Sequence, residues 1–212
     1  MVPPPFRSIR AVARRAAALL LPLIALAQSG CSFDLGSLSP DKEKPPPIES
    51  TGSADAVSGD AAREAREHTT KAQTMVRAGQ SQGALEEFNR AITLDPYSAE
   101  ALYGRALIYQ ANNQHDFAIA DFSSASGLNP QKPEPLLGRA ISYLAIGNAK
   151  AAAADLDEAS QTDPNNAQIW TTRGHAYERL GDRAKAAESY ARATALRPRD
   201  EGARAGLSRV GG

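Results

Sequence analysis

Apolar and small residues recur at one fixed spacing along the C-terminal two thirds of the chain. The spacing is plainest in the prolines at 96, 130, 164 and 198. Two sets of alanines keep it, at 84, 118, 152 and 186 and at 91, 125, 159 and 193, and so does a set of large residues, Phe88, Phe122, Leu156 and Tyr190. This common spacing, the repeat register, predicts stacked units that share one continuous core.

Each unit is predicted to contain two helices. Ala84 and Ala91 lie seven residues apart, on one helix face, where small side chains let a neighbouring helix approach closely while Phe88 fills the space between. Glycines at 79, 147 and 181, with Asn113 in the same register, are suited to the left-handed conformation that ends a first helix. The prolines are placed to end each second helix.

This pattern resembles the tetratricopeptide repeat. The last repeat matches best, with Trp170, Gly174, Tyr177, Ala186, Tyr190, Ala193 and Pro198. The second and third carry Leu102, Ala106 and Tyr109 and Leu136, Ala140 and Tyr143 at the corresponding positions. The first departs from the pattern, with His68 and Met75, as expected of a terminal repeat whose outer face meets water. The resemblance implies an all-α, right-handed α-solenoid of four helix-turn-helix units.

The predicted domain organisation follows from these signals. A signal segment occupies residues 1–30 and a disordered tether, rich in Pro, Ser and Gly, residues 31–60. The four repeats are predicted at 61–98, 99–132, 133–166 and 167–200. A capping helix is predicted at the C-terminal end, 201–212, over Glu201 to Val210.

The N-terminal segment, 1–30, has the pattern of an export signal. Arg7, Arg10, Arg14 and Arg15 precede an uncharged apolar run from Ala16 to Ala27. That run is short for a membrane span, which takes about 20 apolar residues, and Pro22 interrupts it. We therefore interpret the segment as a signal that is removed.

Cys31, the only cysteine, stands directly after this segment. Ser29-Gly30-Cys31 resembles the lipobox of bacterial lipoproteins, although Gln28 stands where that family prefers Leu. The resemblance implies lipidation of Cys31 and, with Ser32 following, a place at the periplasmic face of the outer membrane. The alternative is cleavage by ordinary signal peptidase after Ala27, which would release a soluble periplasmic protein.

Charge and candidate chemistry exclude several classes of function. The chain has 24 basic and 24 acidic residues, but the first 31 hold four basic and no acidic ones, so the remainder carries a net charge of −4, which argues against a nucleic-acid surface. His68, His115 and His175 lack the spacing of metal ligands, and no nucleophile elbow or phosphate-binding loop occurs. We expect no enzymatic activity, no cofactor, no metal and no small-molecule substrate.

The remaining candidate site is the concave groove that the family resemblance implies, lined by the second, fifth, ninth and twelfth residues of each first helix. In the first repeat these are Arg66, Thr69, Gln73 and Val76. In the other three they are Glu100, Tyr103, Leu107 and Gln110; Glu134, Leu137, Ile141 and Leu144; and Gln168, Thr171, His175 and Glu178. The middle of the groove is therefore predicted to be apolar.

This apolar strip has two interpretations. Its side chains pack among themselves or against the tether, or they receive a peptide or helix of a protein partner. The family's clamp for C-terminal carboxylates is missing, because Thr69, Gln73, Gly104, Glu134 and Gly138 occupy its places. With its export signal and Cys31 the chain resembles the small tetratricopeptide lipoproteins of the bacterial envelope, and this resemblance implies a non-enzymatic protein-binding scaffold that supports assembly of an envelope, pilus or secretion complex.

Overall fold

The computed structural model describes residues 58–211, which belong to one compact unit. These residues form helices and no strand, and the all-α prediction is confirmed. The helices are α1 (Gly59–Arg77), α2 (Ser81–Leu94), α3 (Ala99–Ala111), α4 (His115–Leu128), α5 (Glu134–Ala145), α6 (Ala149–Thr162), α7 (Ala167–Arg179), α8 (Arg183–Leu196) and α9 (Glu201–Val210). The predicted signal segment, Cys31 and the tether as far as residue 57 lie outside the described residues.

Short polar residues begin several of the helices. The side chains of Ser98, Asn148, Asp182 and Asp200 each accept a hydrogen bond from a backbone N–H in the first turn of the following helix. Ser58 does the same for Ala61, so α1 begins at Gly59, slightly before the predicted first repeat. Caps of this kind fix where each helix starts, because they satisfy N–H groups that have no partner within the helix.

Left-handed residues end the first helix of every repeat. Gly79, Gly147 and Gly181 have φ of 75°, 82° and 77°, and Asn113 has φ of 58°. Among the described residues Asn113 is the only non-glycine with positive φ. The conformation predicted from the repeat register is therefore present at all four positions.

The core is built from the periodic residues. The alanines of both periodic sets are buried, and so are the large residues Phe88, Phe122, Leu156 and Tyr190. The small side chains allow paired helices to approach closely, while the large side chains fill the space between helices. Core packing continues to the C-terminal end, where α9 covers the last repeat as predicted: Ala203 and Val210 are buried in the core, and Leu207 packs against it.

The helices form two layers. Within the described residues each odd-numbered helix contacts the next odd-numbered one, whereas no two even-numbered helices contact each other. The odd-numbered helices therefore converge and line the concave side of the solenoid. Successive helices run in opposite directions, so the turns within repeats lie at one edge, named here the turn edge, and the linkers between repeats at the other, the linker edge. None of the helices between residues 58 and 211 has the length and apolar character needed to cross a bilayer.

Candidate functional site

A cleft of about 600 Å³ opens on the concave side of the first repeats. Its walls come from the C-terminal end of α1, the whole length of α3 and the start of α5, and Phe88 of α2 and Ala125 of α4 lie at its back. Gly104 of α3, which has no side chain, leaves room there for the ring of Phe88. A second depression, of about 470 Å³, runs along α1 and is lined by polar and charged side chains.

An apolar strip runs along the cleft between its polar walls. Tyr103, half-buried, stands in the middle of α3, with Leu107 one turn further along and Val76 on α1. The side chain of Leu107 is 41% exposed and that of Val76 is 44% exposed. Large aliphatic side chains left uncovered in a concave site are typical of surfaces that bind another apolar group.

Charged groups stand around this apolar lining. Glu100 accepts a hydrogen bond from Gln73 Nε2 at 2.7 Å, which ties α3 to α1 across the cleft. Burial raises the pKa of the Tyr103 hydroxyl, and the negative charge of Glu134 raises it further. This group therefore remains a neutral hydrogen-bond donor. Arg77 and Lys132 add positive charge to the lining.

The predicted groove residues of the second repeat divide between two roles. Glu100, Tyr103 and Leu107 line the cleft, together with Glu134 from the start of α5. Gln110 instead donates from Nε2 to the carbonyl oxygen of Gly138 at 2.7 Å and to Ser142 Oγ at 2.8 Å. Gln110 therefore joins α3 to α5 rather than facing the cleft.

The predicted apolar groove does not continue openly along α5. Leu144 is buried in the core, and Leu137 packs against the same core cluster while Ile141 is half-buried. The reason is that α7 contacts α5 along this face, and Arg179 of α7 donates a hydrogen bond to the Leu144 carbonyl oxygen. The open apolar strip is therefore shorter than the sequence predicts.

In the last repeat α9 reaches the predicted groove positions. Thr171 Oγ1 donates to Asp200 Oδ2 at 2.9 Å, and Glu178 accepts two hydrogen bonds from Arg209 at 2.8 and 2.9 Å. Glu178 also accepts from the Tyr190 hydroxyl at 2.6 Å, and the Arg209 and Tyr190 hydrogen bonds lower the pKa of Glu178 to about 2. Thr171 and Glu178 therefore hold the cap in place.

His175, the remaining predicted groove residue of this repeat, contacts the core from the same helix. Its ring lies 5.5 Å from that of Tyr190, at an angle of 61°. Desolvation on this face lowers the pKa of His175, so the imidazole stays neutral at physiological pH. The last repeat thus offers no open apolar site of its own.

The structure also shows a series of ion pairs that the sequence analysis did not predict. Arg105 and Arg139 bind Asp121 and Asp155 through two parallel hydrogen bonds of 2.7–2.8 Å, within one repeat. Each arginine also bonds to the repeat before it, Arg105 to Asn89 at 2.8 Å and Arg139 to Ser123 at 3.0 Å. These cations keep the repeat register, which could have revealed them: the four members are Lys71, Arg105, Arg139 and Arg173.

The first repeat carries a cluster of charged side chains between α1 and α2. Glu87, which is buried, accepts hydrogen bonds from Lys71 Nζ at 2.9 Å and Arg90 Nη1 at 2.8 Å, and lies 2.5 Å from His68 Nδ1. The hydrogen bond with His68, followed by that with Lys71, lowers the pKa of Glu87. His68 stands where the other repeats have Leu or Trp. A polar ring is suited to this position, because the outer face of a terminal repeat meets water.

The three histidines are not brought together as metal ligands in the described part of the chain. His68, His115 and His175 lie on three different helices, and within residues 58–211 no group of three histidine, cysteine or acidic side chains converges. His115 Nδ1 is buried without a hydrogen-bond partner, but it belongs to no such group.

Comparisons with known proteins agree with this geometry. Models of the tetratricopeptide repeat match residues 69–133, 111–176 and 167–200, which together span more than half of the chain. No curated protein sequence matches the chain significantly.

Solved structures show the same fold at low sequence identity. MamA from Desulfovibrio magneticus is similar with a TM-score of 0.65 and 20% identity, over 69% of this chain and 83% of that one. TTC0263, a thermophilic TPR protein of Thermus thermophilus, gives a TM-score of 0.57 and 24% identity over 69% and 80% of the two chains. The first TPR of Spaghetti (RPAP3), bound to an HSP90 peptide of sequence SRMEEVD, gives 0.53 and 22% over 53% and 90%.

The repeat register, the two helices of every repeat, the converging odd-numbered helices and the matching family models lead to one conclusion. The chain belongs to the tetratricopeptide repeat family.

Proposed function

We propose that this chain is a protein-binding scaffold of the bacterial envelope, which receives an apolar segment of a partner protein in the cleft between α1 and α3. The tetratricopeptide fold supports an interaction role in general. The observation that carries the proposal is the open apolar lining itself, in which Leu107 and Val76 are exposed beside Tyr103 within a concave site.

The cleft indicates the kind of segment that it receives. Its length along α3 is about 20 Å, at about 1.5 Å per residue, which accommodates nearly four turns of a helix or a shorter extended peptide. With Gln73, Gly104 and Glu134 in place of a carboxylate clamp, apolar contacts rather than a terminal carboxylate supply the affinity. The partner is therefore recognised through an internal segment with an apolar stripe.

A photo-crosslinking experiment tests this proposal. A photoreactive amino acid replaces Leu107 in one variant and Leu180, a similarly exposed leucine outside the cleft, in a matched control. We expect a protein adduct at position 107 in living cells and none of the same mass at 180. Mass spectrometry then identifies the linked segment, which is synthesised for a binding measurement.

The binding measurement decides between specific recognition and chance proximity. Leu107→Asp places a charge in the apolar site and is expected to weaken binding of the synthetic segment by about tenfold or more, because burying an unpaired charge costs more than the roughly 1.4 kcal/mol that corresponds to a factor of ten. Leu180→Asp is expected to leave the affinity unchanged. Equal affinities in the two variants would place the binding surface elsewhere.

We further propose that the scaffold is held at the periplasmic face of the outer membrane by lipids on Cys31. The apolar run followed by Ser29-Gly30-Cys31 supports this assignment. Two or three acyl chains would make the attachment close to permanent, whereas a single chain gives only marginal binding. An anchored scaffold would present its partner to an envelope, pilus or secretion complex during assembly.

A second candidate is a soluble periplasmic module. Ala25-Leu26-Ala27 is a small-x-small site that ordinary signal peptidase recognises, and Gln28 departs from the lipobox pattern. Mass spectrometry of the mature protein separates the two candidates. A mature chain that begins at a lipid-modified Cys31 supports the anchor. An unmodified chain that begins at Gln28 supports the soluble module and rules the anchor out.

A further inference from the structure

Each of the four repeats carries one exposed large apolar side chain beside its turn. Val76, which also lines the cleft, lies at the end of α1, Phe117 in the first turn of α4, and Ile146 and Leu180 directly after α5 and α7. Phe117 is 60% exposed, Ile146 48% and Leu180 45%. Because every turn within a repeat lies at the turn edge, these side chains form a row along one side of the solenoid.

The row is held in place by the fold. The ring of Phe117 packs against Tyr109 of α3, with the ring centroids 5.4 Å apart, which fixes its position over the end of that helix. Ile146 and Leu180 each precede the glycine that ends the helix, at equivalent positions of two repeats. Single exposed apolar residues are common on protein surfaces, but here one stands beside the turn of every described repeat.

Exposed basic residues accompany this row. Arg77 follows Val76, Lys150 lies near Ile146, and Arg179, which also donates to the Leu144 carbonyl oxygen, precedes Leu180. The acids close to the turns are Asp116, Glu178 and Asp182; Glu178 is paired with Arg209, and Asp182 is engaged as a cap that accepts from the Lys185 N–H at 3.0 Å. The turn edge therefore combines apolar side chains with positive charge.

The linker edge has the opposite electrostatic character. Tyr97 and Leu128 are exposed there as well. The linkers and the first residues of the following helices, however, carry more acids than bases: the acids are Asp95, Glu100, Glu134, Asp163, Asp200 and Glu201, and the bases are Lys132, Arg197 and Arg199. A negatively charged surface would attract the turn edge and repel the linker edge.

We propose that the turn edge docks on the surface of an anionic lipid bilayer, with Phe117, Ile146 and Leu180 inserted at the level of the headgroups. Apolar side chains that protrude among basic residues gain both hydrophobic transfer and attraction to anionic lipids. The proposal is independent of lipidation at Cys31 and of the partner in the cleft. Docking in this way orients the solenoid, so that the acidic linker edge faces away from the membrane.

Vesicle binding tests the proposal with residues 32–212, which lack both the apolar run and Cys31 and include the compact unit described above. Vesicles that contain phosphatidylglycerol are sedimented with the wild-type chain or with Phe117→Ser, Ile146→Ser, Leu180→Ser combined. We expect the triple variant to partition at least about tenfold more weakly, because three apolar side chains no longer insert. Lys150→Glu combined with Arg77→Glu is expected to weaken binding about tenfold or more.

The matched control carries Tyr97→Ser and Leu128→Ser, which remove exposed apolar side chains from the linker edge. We expect this variant to bind as the wild type does, and pure phosphatidylcholine vesicles to bind all variants weakly. Circular dichroism confirms that every variant is folded. Equal partitioning of the triple variant and the wild type would overturn the proposal, and so would a wild-type chain that stays in solution.

The outcome is separable from that of the proposed function. Leu107→Asp is expected to bind vesicles normally although it loses the partner segment. A different outcome would be that the wild type captures a protein but no vesicles, and that the triple variant no longer captures that protein. The turn edge would then be a protein interface, and the lipid proposal would be wrong.

Discussion

Gly104 of α3 lies directly against the ring of Phe88, which belongs to the preceding repeat. A Cβ atom built on Gly104 would stand 2.3 Å from Phe88 Cζ. The same relationship joins Gly138 to Phe122 at 2.5 Å and Gly206 to Tyr190 at 2.4 Å. In each pair the glycine occupies the same place of the register in the unit that follows the ring. The large periodic side chain of one repeat therefore fits against the bare backbone of the next.

Gly104→Ala is expected to destabilise the protein by about 1–3 kcal/mol, because Phe88 is fully buried and has no room to move away from the added methyl group. Urea unfolding followed by circular dichroism measures the change. Gly127→Ala is the control, since Gly127 lies on the exposed side of α4 with no atom within 4 Å of an added Cβ. That change is expected to stabilise by about 0.5–1 kcal/mol, and equal effects of the two would contradict the steric argument.

The third repeat tests whether the two partners match in size. Leu156 stands where the other repeats have Phe or Tyr, and Thr172 stands in the register of Gly104, Gly138 and Gly206. We expect Leu156→Phe alone to destabilise the protein by about 1–3 kcal/mol and Leu156→Phe with Thr172→Gly to recover at least half of that loss. A double-mutant cycle on the free energies of unfolding measures the coupling, and additive effects would refute it.

Arg139→Ala is expected to cost about 3–5 kcal/mol of stability. The change leaves Asp155, which is buried, as a charge without its bidentate partner. Arg139→Lys is expected to recover only part of the loss, because a lysine cannot form two parallel hydrogen bonds. Arg63→Ala is the control, because it removes an exposed ion pair in which Arg63 Nε and Glu67 Oε1 lie 3.9 Å apart. It is expected to cost less than about 1 kcal/mol in the same urea titration.

Asn113→Gly is expected to stabilise the protein by about 0.5–1 kcal/mol, because glycine reaches a φ of 58° without the steric cost that Asn pays. Gly147→Ala, at the equivalent turn of the next repeat, is expected to destabilise by about 1 kcal/mol for the same reason. Melting temperatures of the two variants should move in opposite directions. A shift in the same direction would mean that the backbone conformation does not decide the outcome.

Stability is expected to fall with acidification through Glu178. Its pKa is about 2 in the folded chain, below the ordinary carboxyl value of 4.5, because Arg209 and Tyr190 donate to the carboxylate. The folded state therefore favours the ionised form, and this contribution is complete above pH 4.5 and is lost as the pH falls toward 2. Hydrogen exchange of α9 amides should report the loss. Glu178→Gln should exchange faster at neutral pH and lose part of this pH dependence.

Residue spacing was enough to predict the repeat architecture. The repeat register gave the number of repeats, the left-handed turns at Gly79, Asn113, Gly147 and Gly181, and the identity of the buried alanines and large residues. These features depend on local backbone preferences and on which helix face is apolar, and both can be read from the order of residues along the chain. The capping helix Glu201–Val210 followed from the same spacing at the C-terminal end.

Contacts between repeats, by contrast, determine which part of the concave face is open. The register places Leu107, Leu144 and Glu178 on the inner faces of their helices, yet Leu107 lines the cleft, Leu144 is buried and Glu178 binds Arg209. The exposure of each side chain depends on how closely the next odd-numbered helix approaches. That distance is set by the packing of several repeats together and is not a property of one repeat. For the same reason the row of exposed apolar side chains at the turn edge is a property of the stacked turns and not of any single repeat.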